Sequence, residues 1–106
     1  MDNEARAFVI RENRNALLSS LLATYPGSIA GETLYRAMLG AFPAYTRTFC
    51  VRDLCYLEGK GYVSRRHPLT GRPSGIEVDW KEARWVLTSA GNEVANRLVH
   101  DPALEV

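Results

Sequence analysis

The stretch between Thr46 and His67 restricts the possible folds of this chain more than any other. A threonine opens it, apolar residues follow at helical spacing, and Gly59 and Gly61 close it. A threonine hydroxyl can accept a hydrogen bond from a first-turn amide, and a terminal glycine can adopt the left-handed conformation that ends a helix. The residues that follow, 62–67, are predicted to form a strand. The stretch therefore predicts a helix over about 46–60 that leads directly into a β-strand.

Apolar periodicity and helix-stopping residues place the other elements. The polar run 11–15 interrupts the first helical pattern, which leaves open two helices or one bent helix. Pro43 ends the second helix, because the residue before a proline is disfavoured in the helical region. Thr88 or Ser89 caps the last helix, whose inward side includes Leu98. We predict helices over about 3–25, 30–42, 46–60 and 89–99, and a β-hairpin wing over about 62–88.

The long connection inside the hairpin is not assigned a single structure by its sequence. Residues 68–75 are rich in turn-forming residues. In the following segment Ile76, Val78 and Trp80 alternate with charged residues, as in a returning strand, whereas Asp79 could equally open a helical turn. Both structures remain open for residues 76–83.

This order of elements predicts an α+β, mainly helical fold in one domain over residues 1–106. Two helices joined by a short turn and followed by a hairpin describe a winged helix-turn-helix, with a three-helix core, a β-hairpin wing and a C-terminal helix. A small three-helix bundle with an unrelated hairpin is the alternative. The third helix should face the core with Cys50, Leu54 and Leu57, and with Phe49 as a further candidate.

Composition and cysteine spacing exclude several classes of protein. Apolar residues make up 46% and charged residues 24% of the 106 residues, which favours a globular domain over a disordered or membrane protein. No apolar run is long enough to span a bilayer, and residues 1–4 do not resemble a signal peptide, so a cytoplasmic location is expected. Cys50 and Cys55 are five residues apart on one predicted helix and cannot form a disulfide. We expect no bound metal, cofactor or small molecule, and no enzymatic motif is present.

Charge is distributed unevenly along the chain. Residues 1–43 carry four Lys/Arg and four Asp/Glu; residues 44–75 carry six and two, a net charge of +4; residues 76–106 carry three and six, a net charge of −3. A local excess of positive charge is what a surface that binds duplex DNA requires, because phosphate contacts supply much of the affinity. A solvated basic surface without a partner is the alternative.

The basic segment contains the residues that we expect to contact DNA. The third helix would enter the major groove, with Arg47 and Arg52 as the main candidates for reading bases. Adjacent strand residues face opposite sides, so only one of Arg65 and Arg66 is expected to contact DNA. The complete set of candidates is Tyr45, Thr46, Arg47, Thr48, Arg52, Arg65, Arg66, His67 and Arg72.

This hypothesis makes two demands on the third helix. Arg47 and Arg52 must be exposed, and intramolecular ion pairs to them would count against it. Changing both to Ala should abolish DNA binding and leave the melting temperature nearly unchanged.

The two tryptophans, Trp80 and Trp85, are expected in the core or at a dimer contact, with a stacking platform for single-stranded nucleic acid as the alternative.

Several segments resemble a family of small winged-helix proteins encoded by Mu-like phages and prophages. The similarity lies in residues 11–22, in Thr46-Arg47, in residues 51–63 and in Val86-Leu-Thr-Ser-Ala-Gly91, within a region of about 8–98. It implies a winged-helix fold. Together with the basic segment, it leads us to expect a sequence-specific DNA-binding protein, a transcriptional regulator. The apolar ends of the chain lead us to expect that it acts as a homodimer through its first and last helices. The alternative is a module for protein interaction or assembly in phage DNA packaging or morphogenesis. Loop 68–83 is longer here than in that family.

Overall fold

The computed structural model describes residues 3–97 of the chain. Within them it contains four helices and a three-stranded antiparallel sheet, so the fold is α+β and mainly helical, as predicted. The elements in chain order are α1 (Asn3–Thr24), β1 (Ile29–Ala30), α2 (Gly31–Ala41), α3 (Arg47–Gly59), β2 (Val63–Arg66), β3 (Arg84–Leu87) and α4 (Ser89–Ala95). None of the helices in this part of the chain is long and apolar enough to cross a membrane.

The first helix is continuous, and its buried residues all lie beyond residue 12. Leu17, Leu18 and Leu21 are buried in the core. No residue between 3 and 12 is buried, and the side chain of Phe8 in this half is 41% exposed. The helical periodicity of the first half is therefore real, but it does not mark a core-facing side within the described part of the chain.

Helix α3 has the start, the end and the inward side that its sequence predicts. The Thr46 hydroxyl accepts a hydrogen bond from the Phe49 amide at 3.1 Å, and Gly61 has a φ of +77°, in the left-handed region. Cys50, Leu54 and Leu57 are completely buried. Phe49 is 39% exposed and does not belong to the inward side.

The sheet has the strand order β1-β3-β2, with β3 in the centre. In the hairpin, Arg65 pairs with Trp85 and Arg66 pairs with Arg84. Trp85 is completely buried, and its indole N–H donates to the Trp80 carbonyl at 3.0 Å. The core prediction is therefore confirmed for Trp85. Strand β1, which pairs with β3, was not predicted, because two residues are too few to show a periodicity.

Residues 76–83 form turns and not a returning strand. The Asp79 carboxylate accepts from the Lys81 amide at 2.8 Å, and the Asp79 carbonyl accepts from the Ala83 amide at 2.9 Å. The helical-turn alternative is thus the correct one. The regular hairpin is accordingly shorter than the predicted 62–88, with strands of four residues each and a connection from 67 to 83.

Helix α4 packs very closely against the start of the hairpin. The Thr88 hydroxyl caps it by accepting from the Gly91 amide at 3.0 Å. A Cβ atom at Gly91 would lie only 1.9 Å from the Tyr62 carbonyl oxygen, so the position accepts no side chain. The helix ends at Ala95, with Asn96 as its C-cap and Arg97 at a φ of +63°, so it is shorter than the predicted 89–99. Leu98 and residue 99 lie outside the described residues.

Candidate nucleic-acid interface

Arg47, the first candidate on α3, is exposed but forms an ion pair. Its Nη2 atom lies 3.0 and 2.6 Å from the two carboxylate oxygens of Glu32 on α2. Its guanidinium also lies over the Tyr35 ring, 4.5 Å from the ring centroid. The hydrogen bond to Glu32 raises the pKa of the already cationic Arg47. Arg47 is therefore accessible to solvent and paired with Glu32, a carboxylate that it shares with Arg36.

Arg52, the second candidate, is paired with a buried carboxylate. Its Nε and Nη2 atoms donate to the two oxygens of Asp53 at 2.9 and 3.1 Å. Asp53 is completely buried and also accepts from Arg14 on α1 at 3.3 Å. A buried carboxylate is tolerated only when its oxygens are satisfied by donors. Arg52 and Arg14 thus donate to a carboxylate inside the domain. The burial of Asp53 was not predicted.

Tyr45, a candidate for DNA contact, lies in the core instead. Only 4% of it is exposed, and its hydroxyl donates to Asp53 at 2.8 Å. Burial and the neighbouring Asp53 charge raise the pKa of the Tyr45 hydroxyl far above its usual value, so it remains a donor. Burial likewise raises the pKa of the Cys50 thiol to about 12, which keeps it protonated. Tyr45 is therefore a structural residue. An aromatic ring in a loop beside three helices is removed from water when it packs between them.

Apart from Arg47 and Arg52, the side chains of α3 that face outward between residues 47 and 55 are uncharged. Thr48 and Cys55 are exposed, Val51 is half-buried, and the Thr46 hydroxyl is occupied by capping the helix. Both arginines that were expected to project freely from this helix are in intramolecular ion pairs. The condition set for a recognition helix driven by these two arginines is not met.

Arg65 on β2 is also a structural residue. It is 5% exposed, and its guanidinium donates to both carboxylate oxygens of Glu58, at 3.2 and 3.1 Å, and to the Val78 carbonyl at 2.9 Å. It lies over the Trp85 ring as well, 4.8 Å from the centroid. The adjacent Arg66 is exposed, so the two arginines lie on opposite sides of the strand, and DNA contact by one of them stays a prediction.

The hairpin carries arginines without a carboxylate partner among the described residues. Arg66 and Arg72 are exposed, and no described ion pair includes them. The same holds for Arg84, whose guanidinium donates to the Ser28 hydroxyl at 3.1 Å and to the Ser28 carbonyl at 2.7 Å. Arg84 was not among the predicted residues. Its place opposite Arg66 in the strand register would have identified it, but the register depends on the path of the connection 67–83, which the sequence leaves open.

His67 organises the turn that follows β2. Its Nδ1 atom accepts from the Leu69 amide at 3.1 Å and from the Thr70 amide at 3.4 Å. Because Nδ1 is an acceptor, the ring proton of the neutral imidazole is on Nε2. Gly71 closes the turn with a φ of +71°. This turn holds Arg66 and Arg72 at the same end of the hairpin, with Arg66 paired to Pro73 by an isolated bridge.

Among residues 3–97 no group of His, Cys, Asp and Glu is arranged to hold a metal ion. Cys50 and Cys55 are free thiols, the first buried and the second exposed. Comparisons with protein-family models, with curated proteins and with solved structures find no match for this chain.

Proposed function

We propose that this chain is a winged helix-turn-helix DNA-binding domain whose hairpin supplies most of its phosphate contacts. The element order supports the fold assignment, because α2 and α3 are joined by a short turn and followed by a two-stranded hairpin. The pairing of β1 with β3 attaches the α1–α2 connection to that hairpin. The wing therefore has a fixed position relative to the three-helix core.

The observation that carries the proposal is the set of arginines at the end of the hairpin. Arg66, Arg72 and Arg84 have no described carboxylate partner, whereas Arg47, Arg52 and Arg65 each have one. Only cations that are not already neutralised add fully to the attraction for a polyanion. Among the arginines of residues 44–84, those without a described carboxylate partner thus lie on the wing, with His67 beside them.

Helix α3 would then contribute contacts that are mostly uncharged. Thr48 on its outer side can contact a base edge or a phosphate. Arg47 remains a candidate because its pair with Glu32 is exposed, and exposed ion pairs contribute little net free energy. A DNA phosphate can therefore replace Glu32 as the partner of Arg47. Arg52 cannot be released in the same way, since Asp53 is buried.

The resemblance to proteins of Mu-like phages leads us to propose a transcriptional regulator that binds a two-fold operator as a homodimer. The exposed first half of α1 supports this arrangement, since Phe8 and Val9 are 41% and 40% exposed there. A two-fold dimer would present two wings and two α3 helices to the operator.

An assembly module is the second candidate, and one observation favours it. A cavity of about 450 Å³ lies between α1 and α3, with Val9, Ile10 and Phe49 among its lining residues. An apolar cleft of this kind can accept side chains of another protein. In this alternative the hairpin arginines have no role in binding duplex DNA.

Selection of bound sequences from random duplex DNA, repeated at two salt concentrations, distinguishes the two candidates. A DNA-binding protein should return an enriched, palindromic sequence, and its affinity should fall linearly with salt on logarithmic axes. The absence of enrichment, together with the absence of salt-dependent binding to any duplex, would favour the assembly module.

A further inference from the structure

We infer that the cleft between the hairpin and the α1–β1 connection is a binding site for a phosphate group, held by Arg66 and Arg84. The cleft has a volume of about 410 Å³ and is lined by both arginines, by His67 and by residues 26–28. It lies on the outer face of the sheet, away from the core. The inference deepens the proposed function and rests on it for the expected source of the phosphate, a DNA strand.

The strand register places two positive charges side by side. Arg66 and Arg84 are direct partners across β2 and β3, so their side chains leave the same face of the sheet. Like charges directly opposite each other destabilise a strand pair. No described carboxylate lies within ion-pair distance of either residue. An anion between the two guanidinium groups would remove this repulsion.

Arg84 is held in place before any ligand binds. Its Nε and Nη2 atoms donate to the hydroxyl and the carbonyl of Ser28. These two bonds use two of the five N–H donors of the Arg84 guanidinium. The remaining donors are available to an anion. Preorganised donors bind more tightly, because less side-chain entropy is lost on binding.

Arg66 keeps most of its donors available. The one described hydrogen bond of its side chain is long, 3.5 Å from Nη1 to the Gly71 carbonyl. Guanidinium groups bind phosphate oxygens through paired N–H donors, and such charge-assisted bonds are stronger than neutral ones. Since Arg66 is exposed, its side chain can adjust to a phosphate that Arg84 already holds.

The size and polarity of the cleft fit a phosphate with part of the group attached to it. A volume of about 410 Å³ exceeds that of an inorganic phosphate and lies within the range of small-ligand sites. The attached group would contact residues 68–71 of the turn built around His67. A phosphate within a DNA strand and the phosphate of a free nucleotide both satisfy this description.

Titration of the full chain with inorganic phosphate, followed by amide chemical shifts at constant ionic strength, tests the site without a duplex. We expect saturable shifts around residues 66 and 84 in the wild type, and binding weaker by about tenfold or more in Arg66→Gln. Arg36→Gln, which removes the same charge from exposed Arg36 on α2, should bind phosphate as the wild type does. Arg84→Lys, which keeps the charge but loses the fork, should also weaken binding.

Two further ligands identify the source of the phosphate. Tighter binding of a short duplex, lost in Arg66→Gln, indicates a DNA strand, whereas tighter binding of thymidine monophosphate with no gain from a duplex indicates a free nucleotide. The inference is overturned if phosphate causes no saturable shift, or if Arg36→Gln loses as much binding as Arg66→Gln. Duplex binding that survives in Arg66→Gln without phosphate binding would overturn this site and leave the proposed function standing.

Discussion

Asp53 connects α1, α3 and the α2–α3 turn through hydrogen bonds. Its buried carboxylate accepts from Arg14, Tyr45 and Arg52, which belong to these three parts of the chain. The Arg14 guanidinium also lies over the Tyr56 ring, 3.7 Å from its centroid. A buried acceptor that loses a donor retains the cost of its desolvation, so each of these donors has a structural role.

Arg52→Ala should therefore destabilise the domain, contrary to the expectation from sequence that it is an exposed recognition residue. We expect a loss of about 1–3 kcal/mol in the free energy of unfolding, because Asp53 stays buried with fewer donors. Arg47→Ala is the matched control and should leave the unfolding free energy almost unchanged, since its pair is exposed. Urea unfolding monitored by circular dichroism measures both. Equal stability of the two variants would show that Asp53 does not need Arg52.

Tyr45→Phe tests the hydrogen bonds to Asp53 by removing the uncharged donor, the Tyr45 hydroxyl. The substitution keeps the buried ring, which stacks on Tyr35 with centroids 6.4 Å apart, and removes only the hydroxyl that donates to Asp53. We expect a loss of about 1–2 kcal/mol in the free energy of unfolding. A variant as stable as the wild type would show that water or Arg14 satisfies the carboxylate unaided.

At the scale of elements, the close contact between α4 and the hairpin is the most sensitive to sequence. Gly91→Ala should destabilise the domain strongly, because its Cβ would overlap the Tyr62 carbonyl oxygen. Gly40→Ala on α2 is the control: nothing lies within 4 Å of the point that its Cβ would occupy, so alanine should stabilise the helix by about 0.5–1 kcal/mol. Thermal melting of both variants should give shifts of opposite sign. A tolerated Gly91→Ala would mean that α4 can move away from the hairpin.

Local signals in the sequence predicted the elements wherever a few neighbouring residues determine the structure. The Thr46 cap, the Gly61 stop and the buried side of α3 are of this kind. Strand β1 depends on pairing with distant residues and was not predicted, and for residues 76–83 the sequence left a strand and a helical turn open.

The candidate site was harder to predict, because charge alone does not show where a side chain is used. Arg52, Arg65 and Arg66 are all arginines of the same basic segment. Arg52 nevertheless pairs with Asp53, and Arg65 pairs with Glu58. Both carboxylates were visible in the sequence as nearby residues. Which arginine they would neutralise depends on burial and on the hairpin register, and these follow from tertiary packing.

At the scale of the whole molecule, the arginines of α3 and of the hairpin end differ in their partners. Arg47 and Arg52 on α3 form ion pairs with Glu32 and Asp53, whereas exposed Arg66 and Arg72 at the end of the hairpin have no described carboxylate partner. The central claim is therefore that the wing, and not α3, provides the electrostatic attraction for DNA.

The dependence of duplex affinity on salt concentration in hairpin and helix variants tests this claim most directly. We expect the double variant Arg66→Ala/Arg72→Ala to lower the slope of log affinity against log salt by roughly two, since each lost phosphate contact lowers it by about one. The matched double variant Arg36→Ala/Arg97→Ala, which removes two charges outside the hairpin, should keep the wild-type slope. A hairpin variant with the wild-type slope, or Arg47→Ala alone abolishing binding, would contradict the account.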